Sequence, residues 1–256
     1  PPLAGKRILV TRARHQAGQL SIELKKLGAE PIEVPAIEIV PPESFAALDA
    51  ALQNAGQFDW LIVTSANAAR AIRERCDNLD IAPANLSHLK IAAIGAPTAH
   101  ALGEAGLSVA ITPSQYVAES LLEALGRQAA NARVLIVRAA VARDVIPESL
   151  ARQGAHVTIA DAYRTAIPQD SIAKIAQLFT GPPPDAATFT SSSTVSNFSA
   201  LMREAGFNHP PDRMLAISIG PITSQTLRDH GWEPEAEADP HDIAGLVAAT
   251  VRALTQ

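Results

Sequence analysis

The stretch Asp185-Ala-Ala-Thr-Phe-Thr-Ser-Ser-Ser-Thr-Val-Ser-Asn-Phe198 has a counterpart earlier in the chain, Asp59-Trp-Leu-Ile-Val-Thr-Ser-Ala-Asn67. In both, an acid leads a short apolar run that ends in Thr-Ser and passes into a helical pattern. Thr190 to Thr194 are consecutive hydroxyl residues, which a linker, a helix cap or a ligand-binding turn would each explain. The counterpart removes the linker. Ser191 lies 126 residues after Ser65 (191 − 65), Ala132–Arg138 repeats Lys6–Arg12 at 126 (138 − 12), and Ala216–Thr223 repeats Ile91–Thr98 at 125 (223 − 98). Solenoid repeats are roughly 20 to 50 residues long, so this period means a duplicated domain.

Each half alternates apolar runs with amphipathic stretches. Ile8–Thr11 leads into a predicted helix over Gln16–Leu27, with Leu20, Leu24 and Leu27 at helical spacing and Gly28 as its stop. The same reading gives strands at Leu61–Thr64, Ile91–Ile94, Val134–Val137 and Leu215–Ile219, and helices stopping at Gly106, Gly154, Gly206 and Gly231. Alternating strands and helices predict α/β structure with parallel sheets, and continuous apolar strands predict sheets covered on both faces. Two proline-bounded stretches, Pro35–Pro42 and Ala160–Pro168, interrupt the rhythm. They read as edge strands, or as two inter-domain crossings lying side by side. In the second case each repeat's first βα unit belongs with the rest of the other repeat.

Composition narrows the function classes. With 256 residues, 47% hydrophobic and 18% charged, the chain holds one large or two ordinary globular domains. Aromatics are only 4%, so the expected core is Ala, Leu, Ile and Val. A net charge of −5 without a Lys/Arg run argues against nucleic acid as partner. Cys76 is the only cysteine, which rules out an internal disulfide and a Cys-based zinc site. No apolar run reaches the length of a membrane span and no leader pattern is evident, so a cytoplasmic protein without a membrane partner is expected. No apolar surface stripe is evident, which favours a monomer.

In open α/β sheets ligands bind beyond the C-terminal ends of strands. Those turns are Thr11-Arg12, Thr64-Ser65-Ala-Asn67, Gly95-Ala-Pro-Thr98, Arg138, Thr190–Thr194 and Gly220-Pro-Ile-Thr223. All carry small, hydroxyl or Arg residues, suited to carboxylate or phosphate. The same Ser, Thr and Asn residues are good N-caps, and for any single turn capping alone is the commoner explanation. The chain has no Walker phosphate loop, no dinucleotide fingerprint after a strand, no nucleophile elbow and no metal spacing among its histidines. Tyr163, one of two tyrosines, reads equally as a cleft-facing donor or as an amphipathic residue at a junction.

Together these motifs resemble the uroporphyrinogen-III synthase family. The resemblance rests on Ile8-Leu-Val-Thr-Arg12, Asp59–Ser65 with Asn67, Ile94-Gly95 with Thr98-Ala99, Tyr163-Arg-Thr165, Thr188–Ser191, and Ile219-Gly-Pro with Thr223. Ser224 departs from the pattern, where Ala is more usual. The resemblance implies two flavodoxin-like three-layer α/β/α domains with parallel sheets, duplicated and swapped. One would comprise residues 1–37 and 168–256, the other 41–160, joined by a two-stranded β-ladder of 35–40 and 161–167. It implies a cofactor-independent cyclising hydro-lyase of tetrapyrrole (haem) biosynthesis. The linear substrate hydroxymethylbilane would lose water and close through a spiro intermediate that inverts the terminal ring. Tyr163 would assist as the catalytic residue. Thr64, Ser65, Asn67, Thr98, Ser191, Ser192 and Thr223 would bind substrate, with Arg12 and Arg138 as charge partners and no metal. The partner would be the small-molecule tetrapyrrole, with at most a transient contact with the preceding pathway enzyme. The main competing reading is a non-enzymatic two-lobed binding protein. A third is a glycosyl- or phospho-ligand enzyme, which would need a charged catalytic group in those turns, where only Arg is evident.

Overall fold

A computed structural model describes residues 1–12, 14–113 and 117–255. The chain opens with β1 (Arg7–Val10), α1 (Arg14–Lys26) and β2 (Glu30–Glu33), then continues through β3 (Glu38–Val40), α2 (Ala46–Gln53), β4 (Trp60–Val63), α3 (Ala66–Asn78), β5 (Lys90–Ala93) and α4 (Ala96–Glu104). Next come α5 (Ala118–Leu125), β6 (Arg133–Ala139), α6 (Val145–Arg152) and the long β7 (His156–Ala166). The last third holds α7 (Gln169–Thr180), β8 (Ala186–Phe189), α8 (Ser192–Glu204), β9 (Leu215–Ser218), α9 (Pro221–Asp229), β10 (Pro234–Glu237) and α10 (Ile243–Thr255). The five expected stop glycines, at 28, 106, 154, 206 and 231, all have positive φ between +76° and +89°. Among the described residues no helix is long and apolar enough to cross a membrane.

Two compact units result. Unit 1 is Pro1–Glu38 with Ala166–Gln256, and unit 2 is Ile39–Thr165. Unit 1 has the strand order β10-β9-β8-β1-β2, and every pairing in it is parallel. Unit 2 has the order β3-β7-β6-β4-β5, parallel from β7 to β5. β3 and β7 lie side by side, so the two proline-bounded stretches do meet at one sheet edge. The strand begins earlier than Asp161, however. β7 is continuous from His156 and follows β6 as far as Tyr163, with a register shift at Arg138/Ala139.

Each sheet is covered on both faces because its strands alternate apolar residues to both sides. Ile8 and Val10 pack with Leu20 and Leu24 of α1 and Leu246 of α10, while Leu9 packs with Phe189, Phe198 and Leu201. In unit 2, Leu61 and Val63 face Ile72 of α3, and Trp60 and Ile62 face Leu121, Leu125 and Leu150. The expectation of a mostly aliphatic core holds in both units. In unit 1 Phe189 stacks edge-on against Phe198 (5.6 Å) and Trp232 (5.5 Å), while unit 2 buries Phe58 and Trp60 among its aliphatic residues. Cys76 is a buried core residue, and desolvation raises its thiol pKa, as a packing role requires.

The acids that lead the repeated motif have a matching structural role. Asp185 Oδ2 accepts the Arg7 backbone N–H and Asp59 Oδ2 accepts that of Arg133, both at 2.8 Å. Each ties the start of one strand to the start of its neighbour. The Arg133 side chain adds further hydrogen bonds, which hold the Asp59 carboxyl at about 2.

Candidate active site

The strand orders mark one point in each unit where the chain reverses its direction across the sheet. From β1 the chain moves to β2 on one side, and from β8 to β9 and β10 on the other. In unit 2 it moves from β4 to β5 on one side and from β6 to β7 on the other. Helices following such strands leave in opposite directions, and a crevice opens at their C-terminal ends. The crevices lie between β1 and β8 and between β6 and β4. These are the same two strands in the two copies of the repeat, since Arg7 matches Arg133 and Asp185 matches Asp59.

Both crevices are cavities of ≈ 200 Å³. The one in unit 1 is lined by Thr11 and Arg12 after β1 and by Thr190, Ser191, Thr194 and Asn197 after β8. The one in unit 2 is lined by Thr64 after β4, by Arg138 near the end of β6 and by Arg143 after it, with Ile94, Val117 and Ile146. The strand-end hydroxyls therefore do meet the repeated arginines.

Capping accounts for part of the serine content. Ser65 Oγ accepts the N–H of Ala68 and Ser191 Oγ that of Thr194, each at 3.2 Å. Ser191 also exchanges hydrogen bonds with the hydroxyls of Ser193 (3.0 Å) and Thr194 (2.7 Å). We expect Ser191→Ala to lower stability by about 1 kcal/mol in a denaturation experiment. The helices α4 and α9 start differently. Their N-caps are Gly95 and Gly220, with no side-chain cap. Gly95 has φ +88°, a conformation that glycine adopts at little cost. Pro97 and Pro221 contribute no N–H and that of Thr98 donates to the Gly95 carbonyl (3.1 Å), so only part of each first turn is left for another acceptor. Thr98 and Thr223, in these first turns, are buried at 3% and 4% exposure. Ser224 is buried too, and its hydroxyl bonds Ser218 and Glu237, which gives the departure from Ala a structural role.

Tyr163 is half-buried near the end of β7, packed against the core of unit 2. Its hydroxyl lies 3.1 Å from Ser65 Oγ. Tyr163 and Asn67 line one further groove, with Phe45 and Arg70, and Asn67 Oδ1 accepts from Arg70 (2.9 Å). Two residues 98 positions apart, singled out separately in the sequence, are thus in contact.

The two arginines differ. Arg138 is 9% exposed and donates to Asp144 (2.7 Å) and to the Arg143 carbonyl (3.1 Å). Arg12 has no hydrogen-bond or carboxylate partner among the described residues, its Nε is buried, and desolvation lowers its pKa. Asn197 and Asp144 escaped the sequence reading. Asn197 lies a helical turn beyond Ser193, outside the strand-end turn, and Asp144 looks like one more helix-start acid. Among the described residues no group of three His, Cys, Asp or Glu is placed to hold a metal ion.

The family model described as Uroporphyrinogen-III synthase HemD matches residues 18–248. The chain belongs to the uroporphyrinogen-III synthase family. A uroporphyrinogen-III synthase of Synechococcus elongatus is 34% identical over 97% of this chain and 95% of its own. Among solved structures, the uroporphyrinogen III synthase of Thermus thermophilus, as a methionine-substituted mutant, aligns with a TM-score of 0.66. It covers 98% of this chain and 99% of its own at 20% identity. The enzyme of Helicobacter pylori aligns at 0.63, over 96% and 99%, at 18% identity. These two likenesses establish the two-domain α/β fold of the synthase family for this chain.

Proposed function

We propose that this chain is a uroporphyrinogen-III synthase, converting hydroxymethylbilane to uroporphyrinogen III and water. The observation that carries the chemistry is the Tyr163–Ser65 contact beside a groove. The Ser65 hydroxyl spends one lone pair on the Ala68 amide and has its proton to give. When it donates that proton to Tyr163 Oη, the tyrosine O–H is free to point at a ligand. The leaving hydroxyl of the substrate takes a proton as its C–O bond breaks, and water departs. Tyr163 supplies the hydrogen bond or proton, and the Ser65 donation stabilises the charge left on the phenol oxygen.

The remaining steps need little from the protein beyond placement. The azafulvene left behind is attacked by the substituted carbon of the terminal pyrrole, giving the spiro intermediate. Fragmentation and re-closure invert that ring, and loss of a proton completes the product. The pyrroles are their own nucleophiles and no net oxidation occurs, so the reaction calls for no cofactor. The work of the protein is to fold a flexible chain so that the right carbon attacks. Substrate carboxylates would be held by Arg12, Thr64, Ser65, Asn67, Ser191 and Ser192 and by the uncapped first turns at Thr98 and Thr223. We leave Arg138 out, because Asp144 already neutralises it.

Freshly prepared hydroxymethylbilane gives the test. Isomer analysis after oxidation should show the III isomer in excess when the protein is present. Only the symmetric I isomer, which forms without an enzyme, would overturn the assignment.

A further inference from the structure

The two crevices are copies of one design, yet their electrostatics have diverged. In unit 2 both arginines are matched: Arg138 with Asp144 at 2.7 Å, and Arg143 with Glu119 at 3.4 Å. In unit 1 no carboxylate lines the cavity among the described residues. Its lining beside Arg12 is neutral hydrogen-bonding groups: Thr190, Ser191, Ser193, Thr194 and Asn197. The sequence shows the same asymmetry. Asp144 follows Arg138 by six residues, whereas the first acid after Arg12 is Glu23, which is paired with Lys26 (2.8 Å). The Nε of each arginine is buried without a partner, but the terminal nitrogens of Arg138 are bonded, whereas the Arg12 guanidinium has no partner among the described residues and is costly unless an anion completes it. The partner it fits best is planar and bidentate, a carboxylate.

We propose that the crevice at Arg12 is the charge-specific end of the substrate site, taking an acetate or propionate carboxylate through the guanidinium. The Arg138 crevice is self-neutralised and presents no net charge. This rests on the substrate class assigned above. Its consequence is that, of the two crevices, that of unit 1 offers an anion an unmatched cation and that of unit 2 does not.

Kinetics on Arg12→Gln, Arg12→Lys and Arg138→Gln, with a melting curve for each, provide the test. Arg12→Gln should raise KM for hydroxymethylbilane by about 10- to 100-fold, the range for losing a hydrogen bond to a charged group, with kcat and Tm little changed. Arg12→Lys should recover part of that loss. Arg138→Gln should lower Tm and leave KM near the wild-type value. An unchanged KM in Arg12→Gln, or an equal rise in Arg138→Gln, overturns the proposal. Citrate, titrated into the wild-type protein while the Arg12 Nε–H and the Ser191–Thr194 amides are followed by NMR, tests the crevice without turnover. Silence of those signals also overturns it, whereas failure to form the III isomer would remove only the assigned reaction.

Discussion

Tyr163→Phe lowers the rate of III-isomer formation by about 10- to 100-fold, at or below the usual contribution of a general acid. The substitution removes one oxygen and keeps the ring that packs against the unit 2 core, so Tm stays close to wild type. The effect falls on kcat, because the hydroxyl is needed when the substrate's C–O bond breaks rather than when the substrate docks. Ser65→Ala gives a smaller fall in kcat, since the phenol is retained and only its partner at 3.1 Å is lost. It also destabilises the protein, as the α3 cap is lost with it. Steady-state kinetics with isomer analysis checks both, and unchanged turnover in Tyr163→Phe would remove the tyrosine from the chemistry.

The largest stability effect is expected at Phe189. This side chain is fully buried in β8, one residue before the hydroxyl turn, with Phe198 and Trp232 stacked edge-on against it. Phe189→Ala forfeits the burial and both ring contacts and leaves a cavity between a strand and α8. The expected cost is about 3–5 kcal/mol, equivalent to a fall in Tm on the order of 10 °C for a unit of this size. Trp232 reports on unit 1 and Trp60 on unit 2, the only two tryptophans in the chain. Fluorescence with Trp60 replaced by Phe should therefore show the Trp232 transition shifted. A loss below about 1.5 kcal/mol would mean that the neighbours close the cavity.

The repeat made most of the fold legible, because buried parallel strands and stop glycines leave strong local patterns. Ile8–Thr11, Leu61–Thr64 and Val134–Val137 were each found to within a residue or two, since each is apolar throughout and bounded by polar residues. β2 and β10 were not found. Glu30-Pro-Ile-Glu33 and Pro234-Glu-Ala-Glu237 lie at the edges of their sheet, where alternate residues face solvent and the apolar signal is halved. The site was legible as a set of turns but not as a set of contacts. Nothing local in the sequence relates Tyr163 to Ser65, or shows that Arg138 spends its charge on Asp144 while Arg12 does not. Those depend on which strands become neighbours, a non-local property.

The pairing of β1 with β8 also bears on how the chain is made. Their contact spans 178 positions, from Arg7 to Asp185. At about 5–20 residues per second, β1 emerges from a ribosome roughly 10 to 35 s before its neighbour exists. Unit 2 is continuous in sequence and can form during that wait. Its first and last strands, β3 and β7, lie next to each other in one compact sheet, so its completion replaces a long flexible span between β1 and β8 by a folded one. The long loop that β1 must close is thereby shortened before closure is attempted. The inserted unit thus lowers the entropy that β1 must lose to find β8.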